Sequence, residues 1–334
     1  MSKIIHLPFV GSPTGGGPHV FVYKFAQAVQ KRGYKVIYDK PNRADVVLCI
    51  IETGRVLKKI NRQKTKVVLR IDGAYFKEYW HGGPGREWRS DMNSLHNKLK
   101  TDIPSVDHVI FQSLFSMDRI NKEIIKRQDR NWSIIHNGVD INLFKPVPRS
   151  SDQDIVLFHI GKVRDGYIME SLIFTYKELK KRGHSNIKLK IAGNMDAECI
   201  NIYNQYKSDP DISYLGVVPN TMAPKLFNQG DIYLAPRMGS SSDNVIPEAL
   251  ASGLPTILPR WGGNAEIISN SKEGIIVDSG GHWNYGPDYV KKLADGVEKI
   301  IPDLNNYKIR ARKHACTNLN LDIMVDKYLK AMGI

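Results

Sequence analysis

Cysteine is scarce in this chain of 334 residues, with only Cys49, Cys199 and Cys316. They are odd in number, far apart and show no CxxC or Cys/His spacing, so neither a disulfide framework nor a zinc site is indicated. Long apolar runs are lacking too: no stretch approaches the roughly 18 to 20 residues that span a bilayer. The start, MSKIIHLPFVGSP, lacks the basic and apolar regions of a signal peptide. A cytoplasmic protein is expected. Close internal repeats and low-complexity tracts are also missing, which argues against solenoids and disordered tails.

What is present is ordinary for a packed soluble protein, with 42 % hydrophobic and 25 % charged residues. The length is too great for one comfortable core and suits two α/β domains. The formal charge of +14 is unevenly spread. Residues 1–150 carry 26 Lys and Arg against 13 Asp and Glu, whereas residues 151–334 carry 22 against 21. A basic first half suits an anionic partner such as a phosphorylated lipid, a membrane surface or an acidic glycan. The bland alternative is a merely soluble basic surface. The basic residues are scattered among acids and form no dense block, which makes nucleic acid the less favoured partner.

Apolar, β-branched runs at 3–10, 35–38, 45–51, 66–71, 107–111 and 133–136 alternate with polar or amphipathic stretches. A second series follows at 154–160, 187–192, 212–215, 231–235, 255–258 and 274–277, and residues 286–301, 304–315 and 320–332 read as helices. Strands alternating with helices predict parallel sheets covered on both faces. KPVPRSSDQ at 145–153 reads as the boundary between two doubly wound domains. Ligands of such sheets bind outside the carboxyl ends of the strands, so two of them would bracket a ligand in a cleft.

The segment 231–268, DIYLAPRMGSSSDNVIPEALASGLPTILPRWGGNAEII, runs strand, Gly/Ser loop, helix, strand, Gly-Gly turn, helix. Its loop Gly239–Asn244 opens a helix at Val245–Ala251, whose free backbone N–H groups suit a diphosphate. Glu248, one turn in, can reach the diol of a ribose. The plain alternative makes Asp243 and Asn244 a helix cap and Glu248 a favourable first-turn charge. Gly15, Gly16 and Gly17 precede a helix expected from Val20 and let backbone approach a phosphate or sugar without a Cβ in the way. Asp209-Pro-Asp211 has the DxD form of a metal site, but its place in a polar turn favours turn chemistry. No metal is expected.

DNVIPEALASGLPTILP followed by WGGNAE resembles the donor-site signature of the family 4 retaining glycosyltransferases. The similarity extends through IIHNGVDINLFKP at 134–146, FHIGKVRDG at 158–166, KLKIAGN at 188–194 and YLGVVPNTMAPKLFNQGDIYLAP at 214–236. It covers the second domain closely and the first only loosely. The resemblance implies a GT-B fold, two Rossmann-like doubly wound domains facing across a cleft. An acceptor-side domain then occupies 1–148 and a nucleotide-sugar donor domain 149–317, with a helix over 318–334 available to pack back on the first. It also implies a nucleotide diphosphate-sugar as co-substrate, a glycan or lipid-linked acceptor, no cofactor and no obligatory metal. A nucleotide-sugar epimerase and a catalytically degenerate nucleotide-binding protein are the rival functions.

Carried over by position, Glu248 matches the second glutamate of the family's Glu-x7-Glu motif, while the first position holds Ser240. That departure leaves the contact with the donor sugar open to Asp243 or a serine hydroxyl. The resemblance places the backbone of Asn244 and Val245 on the diphosphate and Gly16, Gly17, Gly161 and Val217 around the donor. Lys162 and Arg164 correspond to the family's basic pair, at a shorter spacing. Fixed cations there would meet the charge that develops on the departing diphosphate. Asp72, in RIDGAY, stands where the family often has a histidine near the reacting sugar, and turn chemistry is its alternative. His19 is a weaker candidate, and His136 reads as structural. The aromatic, basic stretch 74–90 is the candidate acceptor surface, and the basic first half is the basis for a peripheral membrane contact.

Overall fold

The twelve apolar runs form twelve strands in the computed structural model, which describes residues 2–73, 90–148, 154–280 and 285–334. They make two six-stranded sheets in two units. Unit 1 comprises Met1–Gly138 with Leu321–Ile334, and unit 2 comprises Val139–Asn320.

In unit 1 the strands are β1 (Ile4–His6), β2 (Lys35–Ile37), β3 (Val46–Ile50), β4 (Lys66–Ile71), β5 (His108–Phe111) and β6 (Trp132–Ile134), in the order β2-β1-β3-β4-β5-β6. Every neighbouring pair is parallel. β1 is shorter than the run 3–10 because Pro8 has no N–H to continue the ladder. Alternation along β3 sends Val46, Leu48 and Ile50 to one apolar layer and Val47 and Cys49 to the other. Burial on both faces is why the strand reads as a continuous apolar run.

Helices α1 (Gly17–Lys31), α2 (Ser90–Ser105) and α3 (Leu114–Glu123) cover this sheet. α1 begins three residues before the expected Val20, since Pro18 sits in its first turn, where a proline loses no hydrogen bond and has φ already set. The C-terminal helix, Leu321–Met332, returns to unit 1 and adds Met324, Val325, Tyr328 and Leu329 to the layer that holds Phe21 and Phe25. Tyr328 is fully buried, 5.3 Å from the Phe21 ring and 5.4 Å from Phe25.

Unit 2 contains β7 (Ile155–Ile160), β8 (Ile187–Ala192), β9 (Ile212–Tyr214), β10 (Ile232–Leu234), β11 (Thr256–Pro259) and β12 (Gly274–Val277). Its helices are α4 (Gly166–Lys181), α5 (Ala197–Asn204), α6 (Ala223–Phe227), α7 (Val245–Ala251), α8 (Pro287–Ile300) and α9 (Leu304–Asn318). The parallel sheet runs β12-β11-β10-β7-β8-β9. The unit begins at Val139, before the proline- and serine-rich stretch 145–153. Val139 bridges to Asn320, and the Phe144 ring packs 5.9 Å from Phe227 inside the unit 2 core.

Each sheet has one point where the chain reverses its direction of growth. In unit 1 it lies between β1 and β3, and in unit 2 between β7 and β10. Helices on either side diverge there, which leaves a crevice at the carboxyl ends of the two strands.

Candidate functional site

In unit 2 the sequence motifs converge on that reversal point. β7 ends at Ile160 and runs into Gly161, whose φ of +154° is disfavoured for residues with a Cβ. The turn after it is clamped to the end of β8: Gly161 N–H donates to Ala192 O at 3.1 Å, and Val163 N–H donates to Asn194 O at 2.8 Å. A Cβ on Gly193 would lie 1.9 Å from Gly161 O, so only glycine permits this approach. Val163 is thereby fully buried, and Lys162 and Arg164 on either side of it are exposed. The basic pair is thus produced by one anchored apolar residue between two outward ones.

The loop after β10 is laced to the loop after β11. Gly239 N–H donates to Trp261 O at 2.9 Å, and Gly263 N–H donates to Ser240 O at 2.7 Å. Gly262, with φ +130°, passes so close that a Cβ would sit 2.9 Å from Ser240 O. Asp243 and Asn264 bond reciprocally, Asp243 N–H to Asn264 Oδ1 at 2.8 Å and Asn264 Nδ2 to Asp243 Oδ2 at 2.9 Å. The simple capping alternative therefore does not hold: Asn244 makes no side-chain cap bond to α7, and the Asp243 side chain is taken by Asn264. Ser240 is buried, Glu248 is half-buried one turn into α7, and Arg237 lies 3.9 Å from Asp243.

His159 underlies this site and was not among the residues singled out by sequence. Its ring is 7 % exposed and parallel to Tyr233, 5.8 Å between centroids, and Nδ1 donates to Leu234 O at 2.8 Å. Burial pushes its pKa below the ordinary histidine value. Tyr233 OH donates to Ile160 O at 2.9 Å and Tyr289 OH to Pro236 O at 2.9 Å, so buried phenols pin the ends of β7 and β10. Val217 is 70 % exposed and follows Gly216, whose carbonyl accepts from Gly193 N–H at 2.8 Å next to the Gly161 turn.

Asp72 belongs to a buried network in unit 1. Its Oδ1 accepts from Arg70 Nε and, at 2.6 Å, from Gln112 Nε2. Arg70 donates onward to Tyr328 OH at 2.9 Å and to Asn137 Oδ1 at 3.0 Å, and its guanidinium lies 3.6 Å over the Phe21 ring. Asn137 Nδ2 closes the circuit on Gln112 Oε1 at 3.0 Å. Burial pushes the Asp72 carboxyl above its usual range, more than Arg70 and Gln112 pull it down. Burial alone would lower the Arg70 guanidinium, but Asp72 and Tyr328 outweigh it and keep it charged. The sequence signal was an arginine inside the apolar run 67–71 with an acid two residues on, hence on the same side of the chain.

The remaining candidates divide similarly. Gly16 precedes α1 with an ordinary φ of −67° and nothing within 4 Å of a Cβ, so the fold itself does not require glycine there. Gly17 is the first residue of the helix. His19 is exposed against Phe9, and His136 Nδ1 bonds Gln112 O at 2.8 Å. The DxD pair is a turn: both Asp209 oxygens accept from Tyr176 OH and Asp211 pairs with Lys180 at 2.7 Å. Among the described residues no cluster of histidine, cysteine and acids could hold a metal, and no helix is long and apolar enough to cross a membrane. The candidate acceptor stretch 74–90 lies outside the described residues, save for the start of α2 at Ser90. A cavity of about 630 Å³ lined by Val147, Gly230, Leu254 and Ile309 sits at the starts of β10 and β11, at the opposite end of the sheet from these loops.

Comparison with known proteins agrees with this architecture. Residues 154–303 match the model of the family described as "Glycosyl transferases group 1". An uncharacterized glycosyltransferase of Methanocaldococcus jannaschii is 26 % identical over 189 residues, 51 % of this chain and 45 % of that protein. A GDP-mannose-dependent alpha-mannosyltransferase of Corynebacterium glutamicum is 23 % identical over 250 residues, 71 % of this chain and 53 % of the relative. The chain thus spans about half the length of these curated relatives. Sucrose-phosphate synthase from Thermosynechococcus elongatus superposes with a TM-score of 0.76 at 14 % identity, covering 98 % of both chains. Anabaena HepE in complex with UDP and glucose superposes with a TM-score of 0.67 at 15 % identity over 100 % of both. Residues 154–303 thus resemble the group 1 glycosyl transferases, on a chain with the GT-B fold.

Proposed function

We propose that the chain transfers a sugar from a nucleotide diphosphate-sugar to a glycan or lipid-linked acceptor, with retention at the anomeric carbon and without a metal. The observation that carries this reading is the convergence of the Gly161–Arg164 turn and the Pro236–Val245 loop on the reversal point of the unit 2 sheet, inside the segment that matches the family. In this reading the amides of Asn244 and Val245 receive the diphosphate and Glu248 the ribose. Lys162 and Arg164, held outward by buried Val163, stabilise the charge that builds on the leaving diphosphate as the glycosidic bond breaks. An acceptor side on unit 1 is supported by the basic balance of residues 1–150.

The test is a thermal-shift panel of UDP, GDP and their glucose and mannose conjugates without added metal, since a ligand of the folded state raises its melting point by mass action. Stabilisation by one nucleotide and its conjugate, followed by sugar transfer to an acceptor with the α-anomer preserved, is the expected result. A flat panel with folded protein overturns the reading. A second reading, nucleotide binding without transfer, is favoured by buried Ser240 at the position of the first motif glutamate. It predicts stabilisation by the same nucleotides but no transfer to any acceptor.

A further inference from the structure

His159 has one ring nitrogen committed and one available. Leu234 O can only accept, so the 2.8 Å contact requires the proton to be on Nδ1. In a neutral imidazole Nε2 is then a bare lone pair. The structure gives Nε2 no partner among the described residues, and it lies 3.9 Å from the point where a Cβ of Gly161 would be. An acceptor of fixed tautomer, held flat on Tyr233, is thus positioned beneath the first turn of the candidate donor site.

A neutral lone pair repels the oxygens of an ionised diphosphate and attracts an O–H. We infer that His159 Nε2 accepts a hydrogen bond from a hydroxyl of the donor, on its ribose or its sugar, and so selects for the molecule that carries that hydroxyl. The inference rests on the reading of unit 2 as the nucleotide-sugar site and adds to it a specificity residue. It also supplies a side-chain acceptor to a site in which Ser240 replaces an expected carboxylate. The charged groups that act on the ring are Asp243 and Arg237, of opposite sign, and burial outweighs both in keeping the ring neutral.

The experiment measures binding of UDP, GDP and their glucose and mannose conjugates to the full chain, its His159→Phe and His159→Gln variants, at pH 6 and pH 8. Phenylalanine keeps the stack on Tyr233 and removes both nitrogens; glutamine keeps an acceptor near the Nε2 position. A site built to bond a hydroxyl loses about 5- to 50-fold in affinity when the bond is lost. The expected result is such a loss in His159→Phe, with partial recovery in His159→Gln. Loss for the nucleotide and its conjugate alike places the hydroxyl on the ribose; loss for the conjugate alone places it on the sugar. In the unaltered protein, a deoxy analogue lacking that hydroxyl should bind about as weakly as His159→Phe binds the full ligand, a control that does not depend on how the variants fold.

Two outcomes overturn the inference while leaving the donor site intact. One is unchanged affinity in His159→Phe together with full binding of every deoxy analogue. The other is binding that tightens from pH 8 to pH 6 in the unaltered protein but not in His159→Phe, which would put phosphate on a protonated ring. If the unaltered protein binds none of the panel, the donor-site reading itself fails.

Discussion

The two units deploy the same kind of sheet to opposite ends. Unit 2, in the strand order 3-2-1-4-5-6 of its own numbering, leaves Lys162 and Arg164 exposed at its reversal point. The polar groups behind them, Asp243, Asn264 and His159, are held by hydrogen bonds of 2.8 to 2.9 Å. Unit 1 turns its strongest charges on itself: Arg70 and Asp72 are buried at the end of β4, and the C-terminal helix closes over them with Tyr328. The difference teaches that a charged residue at a strand end is a ligand candidate only when its neighbours leave it facing outward. A buried pair bonded to its neighbours within the core is a brace.

The largest effect expected from this contrast is in unit 1. Asp72→Asn leaves the Arg70 guanidinium buried without a counter-charge and should lower stability by about 3–5 kcal/mol, read from urea unfolding. Replacing both partners by apolar residues, Arg70→Met with Asp72→Leu, should cost far less, because no charge is then stranded. Equal losses would mean the pair is not the unit that matters. In unit 2 the consequence should fall on turnover. Lys162→Ala and Arg164→Ala should slow sugar transfer by about 100- to 1,000-fold and leave stability within about 0.5 kcal/mol, since both side chains are exposed. A variant that unfolds instead would erase the distinction between brace and site.

Tyr328→Phe removes one bond to a buried cation and should cost about 1.5–3 kcal/mol. It has a pH signature. Burial pushes the Tyr328 phenol up to about 12, against about 10 in an unfolded chain. Between those values the unfolded state has released a proton that the native state still holds, so stability falls as pH rises through the window, and the variant should fall less steeply.

Asn264→Ala frees Asp243 and unlaces the loop that precedes α7. About 1 kcal/mol of stability and a several-fold loss of nucleotide affinity are expected, measured on the same variant by unfolding and titration. The smallest effect is in acid. Burial lowers the pKa of His6 and His108 in unit 1 and of His159 in unit 2. The unfolded chain therefore takes up protons first as pH falls below about 6.5, and stability declines from there downward. His159→Phe should remove only its own part of that slope, leaving the unit 1 histidines to account for the rest.

Much of the fold was legible because its signals are local. Strands such as Val46–Ile50 and Ile155–Ile160 are buried on both faces and announce themselves as β-branched runs. The helix Val245–Ala251 follows from the Gly/Ser loop before it and the Gly253 turn after it. The unit 2 loops were legible for the same reason, since Gly193 and Gly262 are demanded by backbone that a Cβ would overlap and Gly161 by its φ of +154°. The start of α1 was misplaced because Pro18 reads as a breaker unless it occupies the first turn.

The sequence by itself determined two parallel doubly wound sheets, the position of their strands and the glycine-rich loops of unit 2, because periodicity and glycine spacing act over a few residues. Only the tertiary structure decided which charges are used internally. Arg70 meets Tyr328 across 258 positions, and Asp243 meets Asn264 across 21. The tautomer of His159 is set by a carbonyl on a strand that joins β7 only when the sheet forms. Such pairings depend on strand order, and strand order is fixed by how whole layers pack, which no short stretch of sequence records.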